Sequence, residues 1–334
     1  PLEHLLSRGI APIVDLVHYG LPAWIDGAYL NSDYPRFVAE YAHRVAQRFH
    51  GRVHAYTPLN EPRITAWYCG RIGWWPPFGR SWRGFVQVMR GVCCGIIETV
   101  RALHDVDPQI LPVHVDATDL YASRDPSLEA EARHRQEIVF LALDLVSGRI
   151  GPAHALYSWL IHQGVHEDEL AWFRAHAIPL PFIGLNLYPM FTNKVFTRTL
   201  AGRTRLKMEY ATGDLVESLG ELYWERYRAP LFISETAATG SIRRRHEWMD
   251  TSIAGARRLR ERGIPLVGYT WWPVFALVTW AYRQGHHPPE YYFKQMGLWD
   301  LDQDCRRIRT PLVDAFRAHA ATPLPPIAAA AFVA

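Results

Sequence analysis

The sequence predicts an α/β fold of the (β/α)8 barrel type that is incomplete in this chain. Short apolar runs alternate with longer amphipathic segments along the 334 residues, which is the pattern of parallel βα units. A small residue followed by Ile recurs where a helix ends just before a strand, at positions 9–10, 177–178 and 263–264. Only six such apolar runs can be found, whereas a closed barrel of this type has eight strands.

The apolar runs are continuous and rich in Val, Ile and Leu, as is typical of buried parallel strands. We predict strands at 11–18, 53–60, 110–116, 182–186, 231–234 and 266–272. We predict the main helices at 34–49, 83–104, 128–147, 166–176, 213–227 and 245–262, each periodic enough to cover one face of a sheet. These elements are expected to form one domain over residues 1–321. The Pro- and Ala-rich tail 322–334 is expected to be disordered.

Composition excludes several classes of partner. The 36 basic residues nearly balance the 33 acidic ones, and the basic run 243–245 is too short for a nucleic-acid footprint. That run is interpreted as the solvated start of a helix. No stretch of about 18 apolar residues is present, so we expect no membrane span. The four cysteines fit neither a disulfide framework nor a metal site, which favours a reducing compartment and a cytoplasmic location.

The carboxyl ends of the predicted strands carry the residues that can do chemistry, because active sites of such barrels form at those ends. The side chains found there are His18, Tyr19, Asn60, Glu61, Asp116, Asn186, Tyr188, Glu235, Trp271 and Trp272. Two carboxylates can flank a glycosidic bond, amides and imidazoles bind hydroxyl groups, and Trp stacks on the apolar face of a sugar. The set therefore indicates glycoside cleavage, for which a metal or organic cofactor is unnecessary. Asp116 and its neighbour Asp119 are interpreted as structural.

Five motifs in order resemble family 1 of the glycoside hydrolases. They are GIAPIVDLVHYGLP at 9–22, VHAYTPLNEP at 53–62, FIGLNLYP at 182–189, LFISETAATG at 231–240 and GYTWWPVFALVTW at 268–280. A lone Asn-Glu-Pro triplet would be weak evidence, but these motifs follow barrel spacing over nearly the whole chain. The resemblance makes the six predicted strands barrel strands 3 to 8. Strands 1 and 2, roughly 60–80 residues, are then expected upstream or lost, leaving the runs at 11–18 and 266–272 as unpaired edges and the chain nearly inactive.

The resemblance also implies roles for individual residues. Glu61 matches the acid/base and Glu235 the nucleophile of a retaining β-glycosidase, whose two carboxyl groups are expected roughly 5–5.5 Å apart. The residue matching Tyr188 hydrogen-bonds the nucleophile. The residues expected to bind the substrate, a small-molecule or oligosaccharide β-glycoside, are His18, Asn60, Asn186, Tyr188, Trp272 and Trp280.

Five residues at three places in the chain depart from the family pattern. Tyr19 and Gly20 follow the strand-3 His where Trp-Asp is usual, and Thr236-Ala237 stand where Asn-Gly is usual. Thr279 replaces the Glu that grips the far hydroxyls of the sugar. The absence of this Glu argues against an ordinary glucose or galactose specificity.

Three alternatives remain open at this stage. Thr279 and Lys294 resemble the members that act on 6-phospho-sugars, although Met296 stands where those have Tyr. Another retaining glycanase of the same clan would have a similar strand-4 motif. A catalytically inactive barrel that binds sugars or proteins would also account for the loss at Thr279.

Overall fold

The computed structural model describes residues 1–323. Within them the chain forms two compact units. Unit 1 comprises residues 1–117 and 133–183, and unit 2 comprises residues 118–132 and the described residues from Gly184 onward. The assignment of residues 1–321 to one barrel domain stays a prediction. The predicted disorder of the tail 322–334 concerns residues that lie, from position 324, outside the described range.

The strands alternate with helices along the chain. The strands are β1 (Ile13–Asp15), β2 (Ala55–Thr57), β3 (Leu111–Ala117), β4 (Leu120–Ser123), β5 (Phe182–Asn186), β6 (Asn193–Arg198), β7 (Thr204–Met208), β8 (Leu231–Thr236), β9 (Leu266–Trp271), β10 (Leu277–Val278), β11 (Phe293–Lys294), β12 (Trp299–Leu301) and β13 (Arg307–Arg309). The helices are α1 (Leu2–Ser7), α2 (Tyr34–Arg48), α3 (Pro62–Ala66), α4 (Trp82–Val106), α5 (Glu129–Val146), α6 (Tyr157–His162), α7 (Glu167–Ala175), α8 (Asp214–Tyr227), α9 (Ile242–Glu261) and α10 (Leu312–Ala321).

The main sheet contains the six predicted strands. Its strand order is β1-β2-β3-β5-β8-β9, which confirms the predicted fold class, an α/β barrel with six of eight strands. In unit 1, β1 pairs parallel with β2 and β2 with β3; in unit 2, β8 pairs parallel with β9. β1 is shorter than the predicted strand 11–18. Only Ile13 to Asp15 pair with the neighbouring strand, opposite Ala55 to Thr57.

The core of unit 1 is built around helix α4. Ser81 begins this helix by accepting a hydrogen bond from the backbone N–H of Gly84 at 2.9 Å, which satisfies one of the exposed N–H groups of the first turn. Gly91 lies so close to Tyr29 that a Cβ at this position would fall 2.0 Å from the Tyr29 carbonyl oxygen. Further along α4, Cys93 is fully buried and burial raises the pKa of its thiol, as expected for a packing residue.

The sequence analysis did not predict the small sheets of unit 2. β4, β6 and β7 form one of them, and β10–β11 and β12–β13 form two antiparallel pairs. Strands of two to six residues with many polar side chains carry little of the apolar signal on which the predictions depend.

The basic run at 243–245 is less exposed to solvent than the sequence analysis expects. Helix α9 begins at Ile242, but only part of the run is solvated, because Arg245 is 2% exposed. Its guanidinium donates to both carboxylate oxygens of Asp300, at 2.6 and 3.0 Å, and to the carbonyl of Gly297 at 3.0 Å. The interpretation as a solvated helix start is therefore wrong for Arg245, whose charge is buried and paired.

Candidate functional site

Glu61 lies at the carboxyl end of β2, where the strand gives way to a helix. The N–H of Asn60 bonds to Val17 O at 2.9 Å and that of Glu61 to Val115 O at 3.1 Å, so both residues are anchored between β1 and β3. Glu61 has a left-handed backbone with φ of 51°, and Pro62 then starts α3. A left-handed conformation is costly for a residue with a side chain and tends to persist at functional sites. The turn fixes a buried carboxylate at the strand end.

Tyr19 contacts both Asn60 and Glu61, which the sequence analysis did not predict. Its Oη donates a hydrogen bond to Oε2 of Glu61 and accepts one from Nδ2 of Asn60 at 3.1 Å. The sequence marked Tyr19 only as a strand-end residue that departs from the family pattern. Tyr19, Asn60 and Glu61 form what we call the Glu61 cluster, which lies wholly within unit 1.

A second carboxyl group lies close to the Glu61 cluster. Asp116, on β3, is 2% exposed, and its Oδ1 accepts the N–H of Arg63 at 3.3 Å. Its other oxygen, Oδ2, is buried and has no hydrogen-bond partner among residues 1–323. Burial raises the pKa of Asp116 well above its usual range, the charge of Arg63 opposes the rise, and the charge of Glu61 adds to it. Asp116 therefore favours its neutral form.

His18 follows β1 and is more exposed than the other candidate residues of unit 1, with 42% of its side chain accessible. Its Nδ1 is 2.8 Å from Oδ2 of Asp15, and its ring lies edge-on to that of Tyr19 with centroids 4.6 Å apart. Desolvation raises the pKa of Asp15, although the bond to His18 acts in the opposite direction. The carboxylate of Asp15 thus orients the imidazole.

Glu235 lies near the end of β8 in unit 2. Its carbonyl accepts the N–H of Leu187 at 2.9 Å, which ties it to the end of β5. Tyr188 donates from Oη to Oε2 of Glu235 at 2.7 Å, so the contact implied by the family resemblance is present. Trp272 stands edge-on to Tyr188, with ring centroids 6.2 Å apart. We call Tyr188, Glu235 and Trp272 the Glu235 cluster.

The remaining candidates of unit 2 differ in exposure. Asn186 is 1% exposed, and its Oδ1 accepts a hydrogen bond from Ser234 Oγ at 2.6 Å. Trp280 is 47% exposed and begins a 3-10 helix just after Thr279, whose N–H bonds to Tyr292 O at 3.0 Å. Lys294 lies with Nζ 5.5 Å from the ring centroid of Phe191. The structure thus groups Tyr188, Glu235 and Trp272 and describes Trp280 as part of an exposed turn.

One group of side chains in unit 1 has the spacing of metal ligands. Ligand atoms of Glu137, Asp144 and His154 lie within 4.8 Å of one another. His154 Nε2 is 3.1 Å from Oδ2 of the fully buried Asp144, and its Nδ1 accepts the N–H of Leu156 at 3.1 Å. Because both ring nitrogens of His154 are engaged, the group is explained as a buried His–Asp pair.

Comparisons with known proteins extend this description. Residues 2–163 match the model of glycosyl hydrolase family 1. A bifunctional β-D-glucosidase/β-D-fucosidase of Bifidobacterium breve is 41% identical over 71 residues, which are 20% of this chain and 15% of that protein. β-Glucosidase 47 of Arabidopsis thaliana is 30% identical over 129 residues, 37% of this chain and 22% of that protein. The chain therefore spans less than a quarter of the length of these relatives.

Solved structures agree with the fold. The family 1 β-glucosidase of Thermotoga maritima superposes with a TM-score of 0.82 at 18% identity, over 96% of this chain and 77% of that one. The same enzyme in complex with castanospermine gives a TM-score of 0.83. The chain thus has the (β/α) barrel fold of this enzyme. The match to glycosyl hydrolase family 1 thus covers the first part of the chain, residues 2–163. Among residues 1–323, no helix is long and apolar enough to cross a membrane.

Proposed function

We propose that the chain provides the catalytic residues of a retaining β-glycosidase, with Glu61 as general acid/base and Glu235 as nucleophile. The proposal depends on a feature that the two glutamates share. Each lies at the carboxyl end of a parallel strand, and each accepts a hydrogen bond from a tyrosine. The donor is Tyr19 for Glu61 and Tyr188 for Glu235. Such an arrangement orients a carboxylate for chemistry at the end of a barrel where active sites form.

The proposed reaction proceeds in two displacements. Ionised Glu235 attacks the anomeric carbon and forms a covalent glycosyl-enzyme, while protonated Glu61 gives its proton to the leaving glycosidic oxygen. Glu61, now a carboxylate, takes a proton from water, and that water releases the sugar from Glu235. The product keeps the β configuration because the anomeric carbon is inverted twice.

The remaining candidates would bind the sugar. Asn60 and Asn186 are amides at strand ends, His18 is an imidazole at a strand end, and Trp272 and Trp280 offer indole faces for stacking. We propose a small-molecule or oligosaccharide β-glycoside as substrate. Thr279 offers a hydroxyl where the family has a charged carboxylate, so we expect weak discrimination at the sugar positions that this carboxylate normally grips.

The proposal is tested by hydrolysis of aryl β-glycosides by the full-length protein, with and without a 6-phosphate on the sugar. The matched control is the double variant Glu61→Gln/Glu235→Gln, which keeps side-chain volume and removes both charges. Turnover by the wild type alone, with the β anomer appearing first by proton NMR, would support the proposal. The α anomer appearing first would indicate inversion and contradict it.

Two other outcomes correspond to the alternative functions. Calorimetric binding of a β-glycoside without turnover would favour an inactive sugar-binding barrel. Cleavage restricted to polysaccharides, with oligosaccharide products, would favour another retaining glycanase. Either result would overturn the assignment of this chain as a β-glycosidase.

A further inference from the structure

The side chain of Tyr19 is held in place from several directions within unit 1. Its backbone is left-handed, with φ of 67°, and its carbonyl accepts a hydrogen bond from Tyr29 Oη at 3.1 Å. Its ring lies 5.1 Å from that of Trp75, at an interplanar angle of 43°, and packs edge-on against His18. The strained backbone and these contacts leave the phenol little freedom, so its hydroxyl has a defined position.

The direction of the hydrogen bonds around this hydroxyl follows from the chemistry of its neighbours. Nδ2 of Asn60 can only donate, so the bond between it and Tyr19 Oη uses a lone pair of the phenol oxygen. The single phenol proton is then left for Glu61, whose Oε2 accepts it. A relay therefore runs from the amide through the phenol to the carboxylate, and each bond strengthens the next by polarisation.

We propose that Tyr19 is a positioning residue that orients the carboxylate of Glu61 and stabilises its ionised form. This inference rests on the proposed role of Glu61 as acid/base. It concerns the position where family members usually carry Trp.

The proposal has a definite consequence for protonation. A hydrogen bond donated to a carboxylate favours the charged form, so loss of the phenol O–H should make Glu61 bind its proton more tightly. Other groups facing Glu61 stay in place in a Tyr19 variant. They are Asp116 on β3, Arg63 on α3 and Tyr68 in the π-helical segment Trp67–Arg71. Burial, and then the charge of Glu61, raise the pKa of Tyr68, which indicates that this phenol is near the same carboxylate.

The first test is a titration that needs no substrate. Glutamate labelled with carbon-13 at the carboxyl group would be followed by NMR from pH 3 to 9 in the wild type and in Tyr19→Phe, with Glu61→Gln identifying the resonance. We expect the Glu61 midpoint to move upward by about one pH unit in Tyr19→Phe, as is typical for the loss of a bond to a charged group. Tyr19→Met has no strong hydrogen-bond donor in its side chain and serves if the Phe variant does not fold.

The matched control is Tyr68→Phe. It removes a phenol near Glu61 whose hydroxyl, within the described part of the chain, is not hydrogen-bonded to that carboxylate. Its Glu61 midpoint should move by less than about a third of the Tyr19→Phe shift. An unchanged or lowered midpoint in Tyr19→Phe, or an equal shift in both variants, would overturn the proposal.

The second test separates positioning from mere packing in an active preparation. The first displacement needs protonated Glu61, so the basic limb of kcat/KM should move upward by the same amount as the NMR midpoint. The second displacement needs ionised Glu61, so kcat on substrates limited by that step should fall most at low pH. A shifted NMR midpoint without any wild-type hydrolysis would support the Tyr19 relay and contradict the proposed function, which keeps the two conclusions distinguishable.

Discussion

Tyr188 donates a hydrogen bond of 2.7 Å to Oε2 of Glu235, and both residues belong to unit 2. The bond orients the proposed nucleophile and stabilises its ionised form. We predict that Tyr188→Phe lowers kcat/KM by about 10- to 100-fold, since a hydrogen bond to a charged group contributes roughly 1.5–3 kcal/mol. Steady-state kinetics on an aryl glycoside would measure the loss. Tyr210→Phe, at a 48% exposed tyrosine outside the Glu235 cluster, should leave the rate unchanged.

Glu235→Ala tests the nucleophile directly. We expect turnover to fall by at least about 10⁴-fold, because no covalent intermediate can form. Azide should then enter the space left by the side chain and restore cleavage, giving an α-glycosyl azide. Product configuration by NMR is the measurement. Rescue by azide in Glu61→Ala with the same α product, and none in Glu235→Ala, would mean that the two roles are reversed.

Glu61→Ala tests the acid/base through the leaving group. A positioned general acid accelerates a reaction by about 10²–10⁴-fold, but only where the leaving oxygen needs a proton. The variant should therefore lose far more of the first displacement on alkyl glycosides than on dinitrophenyl glycosides. A plot of log(kcat/KM) against the leaving-group pKa should be steep for the variant and shallow for the wild type. Equal losses on every leaving group would contradict the assignment.

The sequence predicted the parts of the molecule that depend on local pattern. Continuous apolar runs located all six strands of the main sheet, and the family motifs located Glu61 and Glu235 at strand ends. The relay through Tyr19 was not predicted, because it depends on a left-handed backbone at Tyr19. The burial of Arg245 depends on Asp300, 55 residues further along the chain, and such a partner leaves no local signal in a basic run.

Thr279 allows a test of specificity by gain of function. Restoring the carboxylate with Thr279→Glu should add a charged hydrogen bond to a sugar hydroxyl, about 1.5–3 kcal/mol, and raise kcat/KM on glucosides or galactosides by about 10- to 100-fold. Thr279→Gln is the matched control, since it has the same length without the charge, and should gain less. A wild-type chain that already prefers plain glucosides as sharply as a dedicated glucosidase would refute this explanation of the substitution.

The raised pKa of the buried Asp116 carboxyl should make the stability of the protein depend on pH. Its folded-state pKa is raised by burial, so the folded state holds the proton more tightly than the unfolded state does. As pH rises above the unfolded pKa of about 3.9, the folded protein loses stability relative to the unfolded chain, until the folded pKa is passed. Asp116→Asn mimics the protonated carboxyl and removes this loss.

The variant should therefore match the wild type near pH 4 and exceed its free energy of unfolding at pH 7.5 by at least about 1.4 kcal/mol, the equivalent of one pKa unit. Urea denaturation at the two pH values would measure the difference. Asp119→Asn is the contrasting control, because Asp119 accepts a 2.6 Å bond from Lys194 Nζ and its loss should lower stability at pH 7.5. If Asp116→Asn is less stable than the wild type at pH 7.5 but equal to it near pH 4, the buried carboxyl is ionised in the folded protein and the assignment of its neutral form is wrong.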